Sequence, residues 1–193
     1  MSVVDNPWVD REVQRAPVAA PVAASPAWSV VGGISAEAAV ACSLPVVLSD
    51  YQDDIVLVGA HGGAGTSTVA ELTGLVDGGH VWPVSAPVAN RVLVVARTNM
   101  AGLRAAQAAA LRVYSGAVRG VDVVGVVLVA DLPGRRIPRE LVDMTRAVKA
   151  AFPTSITIDW VSELRLGKTP SRLSGRLVRA VDEIQALNRA GKE

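Results

Sequence analysis

The chain has 193 residues, half of them apolar but only 4% aromatic, and a formal net charge of +1. That length suits one domain plus an extension, with an aliphatic core of the kind a helix-covered parallel sheet builds. A lone cysteine (Cys42) and two histidines (His61, His80) argue against a disulfide framework and a zinc cluster, and no 18-residue apolar run argues for a membrane span.

Charge is unevenly spread. Residues 1–90 carry two basic and nine acidic groups, whereas residues 91–193 carry seventeen basic and nine acidic ones. Such asymmetry suits a nucleic-acid or partner surface, or an acidic segment lying near its own basic body. The N-terminus lacks a basic start leading into an apolar core, so it does not read as a signal peptide, and a cytoplasmic protein is expected.

Residues 1–28 hold a proline every few positions in Ala16-Pro17-Val18-Ala19-Ala20-Pro21 and Ser25-Pro26, which blocks helix and strand alike. Residues 1–50 are therefore expected to be a Pro/Ala-rich extended arm, largely disordered, with Trp8 as an aromatic anchor for a partner or for the chain's own body. Within it, Ser35–Ala41 suits a short helix and Pro45–Leu48 a short strand. Residues 51–193 form the expected domain. Strands are predicted at 55–59, 80–84 (an edge, because of Pro83), 91–96, 121–130 and 155–159. Helices are predicted at 66–75, 100–115, 138–151 and 170–189, the last with a stripe of Leu173, Leu177, Val181, Ile184 and Leu187. Five strands alternating with helices predict a three-layer α/β/α sandwich around a mostly parallel sheet.

Between the first of these strands and its helix stands His61-Gly62-Gly63-Ala64-Gly65-Thr66-Ser67-Thr68. Glycines let backbone approach an anion, and a helix N-terminus presents unpaired N–H groups to it. Residues 61–68 are thus the candidate phosphate cradle, and the Ser67 hydroxyl the candidate magnesium contact through a bound nucleotide. Threonine at position 66 replaces the lysine that would neutralise a γ-phosphate. Losing a charged hydrogen bond of about 1.5–3 kcal/mol lowers affinity by roughly ten- to a hundredfold. Two rival readings stand beside this one. In one the turn serves close packing alone; in the other Gly59-x-x-x-Gly63-x-Gly65 is a dinucleotide site, although neither Tyr51 nor Tyr114 has the lysine four residues on that short-chain dehydrogenases need.

The loop resembles that of the ParA/MinD branch (SIMIBI class) of P-loop NTPases, Lys-Gly-Gly-x-Gly-Lys-Ser/Thr. Downstream, Val92–Ala106, Val123–Leu128 and Ile158–Trp160 with Gly167–Ser171 are similar to later strand and loop segments of that family. The resemblance covers 54–188 and is specific only in the loop. It implies a P-loop NTPase-like fold, ATP with magnesium as ligand, a homodimer, and a bacterial role in plasmid or mobile-element partition, conjugation or secretion. Departures are several. His61 and Thr66 replace both lysines, and an imidazole is mostly neutral at pH 7. Val129 replaces the asparagine that reads adenine. No strand ending in a magnesium-linked acid is evident between Gly65 and Arg91, with Asp77 expected in a turn. The family's chemistry is therefore expected to be degenerate: a pseudo-ATPase acting as adaptor or regulator. An active ATPase using another cation, and a nonspecific DNA-binding accessory, are the alternatives. Arg97, Arg135 and Arg136, after strands, are candidate phosphate contacts. Arg172, Arg176 and Arg179, spaced four and three apart on the last helix, are candidate DNA contacts.

Overall fold

A computed structural model describes residues 44–51, 54–133, 137–168, 170 and 173–191. The expected arm up to residue 43, its helix at 35–41, Trp8, and Arg135, Arg136 and Arg172 lie outside the described residues. The order is β1 (Val46–Leu48), β2 (Val56–Gly59), α1 (Thr66–Thr73), β3 (Val76–Asp77), β4 (Trp82–Val84), β5 (Asn90–Arg97), α2 (Met100–Tyr114), β6 (Val121–Val129), α3 (Arg139–Ala150), β7 (Ser155–Ile158), α4 (Ser162–Arg165) and α5 (Gly175–Ala190).

The main sheet is wholly parallel, in the order β3-β2-β5-β6-β7. Its strands are continuous apolar runs because both faces are covered. Side chains alternate between two cores. Val92, Val94 and Ala96 face α2 and α3 together with Leu103, Ala106 and Val148. Leu93 and Val95 face α1 and α5 together with Val69, Leu177 and Ile184. Helices thus cover both faces, and the three-layer α/β/α expectation is met. In β6 the register shifts between the pairs Val92–Val123 and Leu93–Gly125, so one extra residue enters as a bulge.

Several boundaries differ from the sequence expectation. Helix α1 stops at Thr73, because Gly74 adopts φ 73° and its N–H caps Ala70 O. The last helix begins at Gly175, capped by Ser174 Oγ accepting from Leu177 N at 3.2 Å. Leu173 therefore falls before it and is exposed. Of the expected stripe, Leu177 and Ile184 are buried, and Val181 and Leu187 pack against the same core. The expected strand at 80–84 is not in the main sheet: β4 pairs with β1 in a separate two-stranded sheet, and the fifth main-sheet strand is β3. Residues 44–48, assigned above to the arm, adjoin the body. Leu44 is buried, its carbonyl accepts from Arg112 Nη1 at 2.9 Å, and Trp82 N donates to Pro45 O at 2.7 Å.

Candidate functional site

The chain leaves β2 toward α1 on one face of the sheet and leaves the neighbouring β5 toward α2 on the other. The two exits diverge and open a crevice at the C-terminal edge of the sheet, the usual position for a ligand in a doubly wound fold. Residues 61–68 line a hollow of about 400 Å³ there, together with Asp77, Gly79, His80 and Arg97. Ala60 N donates to Val95 O at 2.8 Å, which anchors the loop's entry, and Ala64 N donates to His61 O at 3.2 Å within it. Gly63 (φ 74°) and Gly65 (φ 98°) hold left-handed conformations that a side chain would strain. Gly65 caps α1 without any side-chain bond, and the first turn carries no acidic residue. The first-turn N–H groups of Thr66, Ser67 and Thr68 are therefore left for an external acceptor. Gly62, Gly63 and Ser67 are exposed, Ala64 is buried, and Thr66 is only 9% exposed. The Thr66 hydroxyl has no hydrogen-bond partner among the described residues.

Among the described residues, Arg97 is the arginine that touches this loop. Its Nε donates to Gly63 O at 2.7 Å, and its Nη1 lies 3.5 Å from Asp131 Oδ1. Both side chains are about four-fifths buried. The backbone N–H of Arg97 donates to His61 Nε2 at 3.2 Å, so that nitrogen is unprotonated and Nδ1 carries the hydrogen it donates to Gly62 O at 2.9 Å. His61 is thus a neutral strut between the loop and β5, not a substitute charge. Gly102 makes room for this ring: a Cβ there would lie 2.7 Å from His61 Nε2. Asn99 Oδ1 caps α2 by accepting from Gly102 N at 2.8 Å.

On the other wall, Asp77 corrects the sequence expectation. It ends a strand, paired in parallel with Leu57 of β2, and lines the hollow. A two-residue strand has no alternation to reveal it; the open flank of β2 makes it a strand. Asp77 Oδ1 accepts from Gly79 N at 2.9 Å, and His80 Nδ1 lies 2.7 Å from Gly59 O, which assigns a hydrogen to Nδ1.

The other candidates do not converge on the loop. Arg176 binds Asp159 at 3.3 Å and borders a different cavity, and Arg179 is exposed further along α5. Sequence reasoning missed Asp131 and Arg165, which sits 3.9 Å from the same carboxylate and lies over the Trp160 ring at 5.9 Å. Asp131 follows β6 on the edge where Arg97 ends β5, a placement that could have marked it.

A family model matches residues 53–181, which take in the loop, Asp77, His80, Arg97, Asp131 and Arg165. The chain belongs to the DUF6668 family. That is a family of unknown function, and the matched span begins after β1 but includes its partner β4. No curated protein and no solved structure matches this DUF6668 chain.

Proposed function

We propose that this DUF6668 protein is a degenerate ParA/MinD-like phosphate-loop protein that binds a nucleotide's phosphates weakly, with magnesium, and hydrolyses them slowly or not at all. Its role would be that of an adaptor or regulator in bacterial plasmid or mobile-element partition, conjugation or secretion; that cellular setting rests on the loop's resemblance alone. The supporting observation is the open hollow at the strand divergence, lined by a helix turn with no side-chain cap and no acidic residue of its own.

Electrostatics explain why the binding would be weak. Position 66 supplies no charge, and the nearby Arg97 is shared with Gly63 O and Asp131. Magnesium prefers oxygen ligands, and both the Ser67 hydroxyl and the Asp77 carboxylate border the hollow, so the residues fit the ion. When bound, the ion would supply charge neutralisation for the phosphate oxygens. The second reading, an ATPase with a non-standard cation, draws on Arg97, which donates to the loop at Gly63 O.

Calorimetry and thermal melting with Mg-ATP, beside a turnover assay, test the proposal. Expected are saturable binding weakened several-fold by Ser67→Ala, and phosphate release at the buffer background. Turnover well above background that disappears in Ser67→Ala would establish the ATPase reading instead. No binding at millimolar Mg-ATP would end both.

A further inference from the structure

We infer that the open edge of β1 is a docking surface for this chain's own segment Trp28-Ser29-Val30-Val31, which adds to the small sheet as a third parallel strand. The starting observation is an exposed apolar strand. Val46, Val47 and Leu48 are 50%, 44% and 72% exposed, although their side chains alternate between the two faces of β1. An apolar run of this kind is the pattern of a strand covered on both faces of a parallel sheet.

Backbone hydrogen bonds show which edge is open. Successive residues of a strand turn their N–H and C=O groups to opposite edges. Trp82 N donates to Pro45 O at 2.7 Å and Ser49 N to Val84 O at 3.0 Å, so residues 45 and 49 point to β4. Val46 and Leu48 therefore point away from it, and their N–H and C=O groups meet no strand among the described residues. The far side of β4 cannot grow in the same way. Pro83 has no N–H, and its carbonyl already accepts from Asn90 Nδ2 at 3.0 Å. Growth is confined to β1, whose three residues carry none of the charges or prolines that blunt an exposed edge.

Chain length and connection select the occupant. The chain enters β1 through Leu44, which is buried and whose carbonyl accepts from Arg112 Nη1 at 2.9 Å. The residues just upstream are thereby held beside the open edge. A parallel neighbour needs a crossover of about a dozen residues or more, usually helical. Residues 32–45 meet that length and include 35–41, the stretch whose composition suits a short helix. Ahead of them, residues 28–31 offer an aromatic and two β-branched side chains, lie beyond the last proline of the Pro/Ala-rich stretch, and end at Gly32-Gly33. A second copy is a poorer occupant. Three partly exposed side chains fall far short of the about 800 Å² per partner that a stable interface buries, whereas a tether supplies an effective concentration of about millimolar.

Amide hydrogen exchange on the full chain, read residue by residue by NMR, tests the inference. The Val46 and Leu48 amides are expected to exchange about a hundredfold or more slowly than in an unstructured peptide, with the Ser49 amide, bound to Val84 O, as the internal control. Val30→Pro should return Val46 and Leu48 to fast exchange and leave Ser49 protected. Should that variant not fold, Val30→Asp combined with Val31→Asp serves the same comparison. Fast exchange at Val46 and Leu48 in the unaltered chain overturns the docking. Slow exchange that is lost on dilution overturns it in favour of a second copy. Protection unchanged in a folded variant overturns residues 28–31 as the occupant.

Discussion

Position 66 sets the strength of the site. A threonine there turns its hydroxyl inward, 2.6 Å from where a Cβ on Gly59 would be, whereas a lysine's four-carbon stem could carry an ammonium out over the hollow. Thr66→Lys is expected to tighten Mg-ATP binding by roughly tenfold or more, read by calorimetry, since a charged hydrogen bond contributes about 1.5–3 kcal/mol. Unchanged affinity would mean that the hollow is not where phosphate sits. The missing charge was legible in the letters, because the loop motif is local and contiguous. The burial of the threonine and the neutral tautomer of His61 were not. The first depends on Gly59 of β2 and the second on β5, whose Arg97 N–H reaches the ring from 36 positions away.

Among the elements, α2 packs against the contact between the loop and β5. A Cβ at Gly102 would collide with Arg97 O as well as crowd His61 Nε2. Gly102→Ala should therefore push the imidazole off the Arg97 N–H, lowering stability by about 1–3 kcal/mol. It should weaken phosphate binding as well, although the residue does not line the hollow. Denaturant melts beside ligand titrations check both; a drop in stability with unchanged binding would separate α2 from the loop. Gly125, in the bulged β6, makes a control at a distance. An added Cβ would lie 2.6 Å from Thr154 O, so Gly125→Ala should cost a similar amount of stability in denaturant melts and leave ligand affinity unaltered in the folded fraction. Helix and strand types followed from hydrophobic period and from cap residues such as Asn99 and Ser174. The two-residue β3 escaped because a strand that short exists only through its neighbour.

At the scale of the molecule, the small β1–β4 sheet decides where the body begins. Asn90 Nδ2 donates to Ser49 O (2.6 Å) and Pro83 O (3.0 Å), and its Oδ1 accepts from Tyr51 N (3.1 Å). This buried amide joins the segment after β1, β4 and the start of β5. A chain starting at Ser43 should melt higher than one starting at Asp50. The difference should be about 2–4 kcal/mol, because the shorter one loses the buried Leu44 and the β1 ladder. Equal melting temperatures would place the boundary at residue 50 after all.

Among the described residues, the ion pairs of the domain do not join its acidic half to its basic one. Arg97, Arg139, Arg146, Arg165 and Arg176 each have a carboxylate partner on their own side of residue 90. Membrane crossing by a helix has no candidate among the described residues.

The amino-acid order alone determined the layered α/β class, the order of the long elements and the glycine loop, because each rests on short-range period, caps and turn chemistry. Only the tertiary structure decided which strands neighbour one another, and that Asp77 and Arg97 face a shared hollow. Those relations join residues far apart in the chain, and packing rather than local preference selects them.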